Sequence, residues 1–365
     1  MKIREIQIED YIQIQELHRK YNLNILDKDE WIKFWKNNPC LLNSDIPAPI
    51  GWVLENEQKR IVGSLSNILK EYYYNNKKFF VACSHAWIVE DKFRLEAFAL
   101  LKNFFSQKNI DVFMVTTANE STAKIWLRHD AKKMPVSTYQ NSMFFVLDLE
   151  KLICSFLKVK KIYLGKIINK FIFYLSYVFL YKKINFWKSV NQPKNVIINT
   201  IIDNEFDVFW EDYKSEFKYK FLQSRSASWI RWHIQQKIEQ NKAWINTVTE
   251  NKKILGYAIC LERNNPKIGL KRIVIIDLVS LQDNTEVYLS LIKGCVNESK
   301  KRGYHMIEAI GFKNSKNRIF SQFKTFNRKF PIFPFYYKIG KIVDKNFLNV
   351  EDAWDPSLID GDSFL

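Results

Sequence analysis

The chain has 365 residues, a length suited to two domains of ordinary size. Its 47% hydrophobic and 15% aromatic content excludes a disordered chain. A formal charge of +17 would attract phosphates, nucleic acid or an anionic membrane, but Lys, Ile and Asn are abundant throughout, so charge selects none of them.

Met1 to Asp10 alternates charged with apolar residues and lacks the apolar run of a secretion signal. The next informative segment is Trp52-Val53-Leu54-Glu55-Asn56, which passes through a charged turn into Arg60-Ile61-Val62-Gly63-Ser64-Leu65. Two apolar runs around a polar turn predict a β-hairpin. A strand over 79–89, an amphipathic helix over 93–107 and a strand over 111–117 follow, the helix placing Phe98, Leu101, Phe104 and Phe105 at helical spacing.

This order recurs. Trp244 to Val248 leads through Glu250-Asn251-Lys252 into Lys253 to Ile259, a second hairpin, followed by a strand over 273–281, a helix over 286–301 and a strand over 304–310. The halves therefore divide into a domain over 1–150, a linker over 151–194, a second domain over 195–345 and an acidic tail over 346–365. Within the linker, 151–188 carries nine lysines and no acidic residue among aromatic and aliphatic side chains. Its longest uncharged stretch, 171–181, is too short to span a bilayer as a helix. It fits either a helical hairpin packing the domains together or a basic amphipathic helix lying on an anionic membrane.

The chemistry is concentrated after the strand 79–89. Arg94-Leu95-Glu96-Ala97-Phe98-Ala99 opens a helix with a cation and small residues, where free backbone N–H groups can favour an anion. The next strand ends in Ala118-Asn119, and Trp126 lies seven residues further on. This pattern resembles that of the GNAT acyltransferases, with Ala97 at the position of the family's first glycine. The resemblance implies an α/β (α+β) fold of two tandem GNAT-like domains, each a mixed, mostly antiparallel sheet flanked by helices.

It also implies that acetyl-CoA or another acyl-CoA is the co-substrate, held by Val89, Arg94, Leu95, Ala97, Ala99, Asn119 and Trp126. The family usually has a tyrosine acid where this chain has Trp126, and an indole N–H cannot deliver a proton. The Gly-Phe that follows in the family is Asp130-Ala131 here. A general base is sought on the preceding strand, where His85 has the most suitable chemistry, with Ser84 and Glu90 beside it. A bulge common in this strand of the family leaves the register open.

The second half has Thr285, Tyr288 and Ser290 where the first has Arg94, Ala97 and Ala99, so that a tyrosine stands in the phosphate space. It is expected to serve the acceptor instead, with Arg225, Trp229 and Arg231 on one helix and Asp360 and Asp362 in an Asp-Gly-Asp turn as substrate-binding candidates. A Trp354 followed by Asp-Gly-Asp is similar to the ending of two-domain GNAT-like proteins of bacterial surface-polysaccharide functions.

The expected activity is transfer of an acyl group, acetyl first, to a small amine such as an amino sugar or surface-glycan precursor. Two alternatives stand beside it: an aminoacyl-tRNA-dependent transferase resembling the FemABX group, and a non-catalytic acyl-CoA-binding or scaffold protein. Nucleic acid is not expected as a partner under the first reading. The five cysteines, Cys40, Cys83, Cys154, Cys260 and Cys295, lack the paired spacing of a metal site or a disulfide framework. A cytoplasmic location follows, with peripheral membrane contact through 151–188.

Overall fold

The computed structural model describes residues 1–43, 48–162, 166–191, 193–329, 334–342 and 346–362. Two mixed sheets, each flanked by helices, organise the chain. The first runs in the order Lys2–Glu5, Gly51–Glu55, Ile61–Tyr74, Lys77–Val89, Val112–Val115, Tyr336–Ile339 and Lys132–Lys133. The second runs Phe326–Lys329, Asn141–Val146, Met306–Ile310, Arg272–Ser280, Lys253–Glu262, Ala243–Glu250 and Val196–Asn199. In each, one pair is parallel, Lys77–Val89 with Val112–Val115 and Arg272–Ser280 with Met306–Ile310.

Local sequence explains the hairpins. Asn75 and Asn76 have φ of 47° and 58°, and the register closes Tyr74 on Lys77, a two-residue turn that suits the right-handed twist of paired strands. Asn251 and Lys252 repeat it between Glu250 and Lys253. The helix Ala97–Phe105 buries Leu100, Leu101 and Phe104, and Thr285–Lys301 buries Leu291, Ile292 and Cys295 from an Asn284 cap. Each such Leu or Phe contributes about 1.5–3 kcal/mol by leaving water.

The halves are interlaced. Asn141–Val146 leaves the first half to pair between Met306–Ile310 and Phe326–Lys329, and Tyr336–Ile339 returns to pair between Val112–Val115 and Lys132–Lys133. A boundary at residue 150 thus does not coincide with sheet membership, because Asn141–Val146 joins the second half's sheet while Leu222–Gln223 and Tyr336–Ile339 join the first's. The helix Ala227–Glu239 adds a second tie: Trp229 is buried in the first half's core, and Trp232 stacks on Phe34 while donating to its carbonyl at 2.7 Å.

Candidate active site

A bulge and a fork in the first sheet open the site. The pairing of Lys77–Val89 with Ile61–Tyr74 slips between Ser64 and Ser66, and Ala86 takes a left-handed φ of 48°. On its other edge, the strand pairs with Val112–Val115 only from Val81 to Cys83. Beyond Cys83 that edge has no partner strand among the described residues, so its amide groups face a cavity of about 1020 Å³. Ser84, His85, Ala86, Trp87, Ile88 and Val89 all line it.

Asp362 sits in the fork. Its carboxylate lies 3.0 Å from His85 Nδ1 on one strand and accepts from Thr116 Oγ1 at 2.7 Å and Thr117 Oγ1 at 3.0 Å beyond the other. Burial pushes the carboxyl up, but the His85, Thr116 and Thr117 hydrogen bonds outweigh it and hold Asp362 below the ordinary aspartate value. An ionised carboxylate can only accept, so His85 Nδ1 carries the proton and Nε2 keeps the basic lone pair. With a quarter of its side chain exposed and the rest packed, His85 is oriented yet reachable.

The tail holding Asp362 is itself anchored. Lys70, fully buried, donates to the carbonyls of Ile359 at 2.6 Å and Gly361 at 2.7 Å and to Gln223 Oε1 at 3.1 Å. Tyr72 donates to the Asp360 carbonyl at 2.6 Å. Gly361 lies so close to Thr116 that a Cβ would fall 1.9 Å from its Oγ1. Removal from water pushes the Lys70 ammonium down to about 8.

Opposite, His18 on the helix Tyr11–Lys20 lines the cavity, almost fully buried. Its ring hydrogen-bonds the Asn24 backbone, and Nε2 has no partner among the described residues. Burial first, and then the neighbouring His85, push the imidazole down to about 4, so it stays neutral at physiological pH.

Several expected residues meet here. Val89, Arg94, Leu95, Ala97 and Asn119 line the cavity with Ser84 and His85, and Arg94 is exposed, bridging to Asp91 at 2.8 Å. Ala97 opens its helix after a 3₁₀ turn over Asp91–Glu96, and the Asn119 side chain caps Glu120–Arg128 by accepting from Thr122 N at 2.8 Å. Both helix starts lie at the cavity wall, where their dipoles favour an anion.

Others are placed elsewhere. Glu90 is tied to Arg60 at 2.9 Å and Lys20 at 3.0 Å; these cations outweigh burial and lower its pKa, which removes it as a base, and it does not line the cavity. Ala99 lies one helical step past the lining residues Ala97 and Phe98, and Trp126 is fully buried against Phe104 and Phe105; neither reaches the cavity. Arg225 is buried in an ion pair with Asp277 at 2.9 Å and reaches Asp360 at 3.7 Å. It cannot contact a substrate there, and Asp360 closes the tail turn through Ser357 instead. Trp229 is core, and Arg231 donates to the Ile202 carbonyl at 2.6 Å beside a smaller recess of about 450 Å³. Of the five substrate candidates, only Asp362 lines this cavity.

Sequence reading missed His18, Thr116, Thr117 and Lys70. The second half closes the cavity with Arg263, Arg272, Val274, Ile310 and Leu358. Arg272 is held by Glu308 Oε2 at 2.9 Å and by the Arg263 carbonyl at 3.0 Å. In the second half Tyr288 is buried, its hydroxyl on Asp283 at 2.8 Å.

No protein-family model and no curated protein sequence matches the chain. Among solved structures it is similar to a GCN5-related N-acetyltransferase from Anabaena variabilis, with 10% identity and a TM-score of 0.55 over 93% of this chain and 73% of that one. A GCN5-related N-acetyltransferase from Kribbella flavida gives 8% identity and a TM-score of 0.58 over 93% and 71%. N-myristoyltransferase from Saccharomyces cerevisiae, solved with myristoyl-CoA, gives 12% identity and 0.57 over 92% and 82%. At such identities the likeness is one of fold: the chain has the GNAT-superfamily fold, with two sheets in tandem.

Proposed function

We propose that this protein is an acyl-CoA-dependent N-acyltransferase whose donor site lies in the forked sheet of the first half and whose acceptor enters against the second. The observation that carries the reading is the His85–Asp362 pair opening on the cavity beside the strand edge Ser84–Val89. The unpaired amides of that edge would bind the pantetheine arm as an added strand binds a sheet. Arg94, at the cavity wall beside the start of the helix Ala97–Phe105, would hold the pyrophosphate.

The attacking species is the free-base amine, whose nitrogen becomes acidic as it bonds to the thioester carbon. His85 Nε2 would take one proton from that nitrogen as the new C–N bond forms, with Asp362 stabilising the resulting imidazolium. The C–S bond then breaks, and the positive charge on His85 balances the departing thiolate. His18 Nε2, a buried acceptor facing the same space, would receive a second N–H of the amine and aim its lone pair.

The acceptor is a small amine, with acetyl as the first acyl group to test. Arg263 and Arg272 would favour an acceptor bearing a carboxylate or phosphate, as sugar-nucleotide amines do. Calorimetry with acetyl- and longer acyl-CoA, followed by a thiol-release assay against an amine panel, tests the reading. Absence of acyl-CoA binding by the intact protein sinks it.

A further inference from the structure

The helix Lys166–Ser189 carries no charged residue over 171–181. One side, with Phe173, Tyr177 and Leu180, packs on the core of the second sheet, and Trp187 anchors the end by donating to the Phe323 carbonyl at 2.6 Å. The opposite side presents Tyr174, Leu175, Val178, Phe179 and Tyr181 at one-face spacing, Tyr174 being 63% and Phe179 85% exposed. The neighbouring helix Leu149–Val159 packs along it and exposes Phe156 and Val159. A solvated helix face is polar, so an apolar stripe left open here calls for a covering surface.

Charge selects the cover. The segment 151–188 carries nine lysines and no acidic residue, and Lys158, Lys160 and Lys161 are exposed at the end of Leu149–Val159, the helix beside the stripe. A second copy docking by this face would set lysines against lysines, whereas anionic headgroups would neutralise them while the apolar side chains enter the acyl boundary. No helix among the described residues is long and apolar enough to cross a membrane.

We propose that the stripe Tyr174–Tyr181, with the lysines beside it, docks the protein flat on an anionic membrane surface. The proposal stands apart from the acyl-transfer reading. Its test is flotation of the full chain with vesicles of phosphatidylcholine alone or with roughly 30 mol % phosphatidylglycerol. Co-flotation with anionic vesicles alone, weakened at least about tenfold by raised salt, is expected. V178D/F179D, made at exposed positions and checked for an unchanged circular dichroism spectrum and Tm, is expected to lower partitioning at least about tenfold. Failure to float with anionic vesicles, equal flotation with neutral ones, or an unaffected V178D/F179D variant overturns the proposal. So does a concentration-dependent dimer, seen by sedimentation without vesicles and abolished by V178D/F179D, which would give the face to a second copy.

Discussion

Asp362 and His85 are separated by 277 positions in the chain and by 3.0 Å in space. Asp362→Asn keeps the shape of the fork but removes the anion that holds the Nδ1 proton. Transfer is expected to fall by about 10²- to 10⁴-fold with acyl-CoA affinity changed less than about threefold. Single-turnover assays beside calorimetry separate the two effects, and wild-type turnover in the variant would dismiss the dyad.

The tail anchor makes a separate prediction. Gly361→Ala drives a methyl into Thr116 and is expected to cost about 1–3 kcal/mol, measured by urea unfolding, with loss of transfer as Asp362 leaves His85. Lys70 bears on the same turn with a pH signature. A folded pKa depressed from 10.5 to about 8 contributes stability that is complete above 10.5 and lost as pH falls through 8, about 3 kcal/mol in all. Between pH 7 and pH 9.5 the wild type should therefore gain stability relative to Lys70→Met, and equal slopes would contradict a buried ammonium.

His18 behaves likewise on the acid side. With its folded pKa depressed from 6.5 to about 4, its contribution is present above 6.5 and disappears as pH falls through 4, again about 3 kcal/mol. His18→Phe should flatten that part of the acid-unfolding curve. It should also raise KM for the amine about tenfold while leaving acyl-CoA binding intact, because only the second N–H contact is lost.

Donor-site variants divide by exposure. Arg94→Ala is expected to weaken acyl-CoA binding about tenfold, and Ala97→Trp to abolish it with Tm little changed, since both positions open on the cavity. Trp126→Phe should lower stability and leave transfer intact, because the indole is packed between helices and faces no substrate. A selective loss of transfer in Trp126→Phe would return this position to the chemistry.

The hairpins over 52–65 and 244–259, and the helices that follow their next strands, could be read from the chain because their causes are local: apolar runs around polar turns, and three- and four-residue spacing. That Arg94, Leu95 and Ala97 sit together where a strand gives way to a helix was legible for the same reason. The exchange of Asn141–Val146 for Tyr336–Ile339 was not, since a short apolar strand does not encode which edge it will join. Asp362 stood out as one carboxylate of an Asp-Gly-Asp turn, but its partner depends on Lys70 and Thr116, hundreds of positions away. His18 sits among Ile14 and Leu17 on a helix whose pattern reads as core. Glu90 looked available until folding set Arg60 and Lys20 beside it.

The strand exchange also governs when competence can arise during synthesis. The ribosome delivers the forked strands and His85 early, yet the edge beside Val112–Val115 stays open until Tyr336–Ile339 emerges, and the fork lacks its carboxylate until Asp362 follows. A chain shortened before Tyr336 would leave that edge open and His85 without its carboxylate.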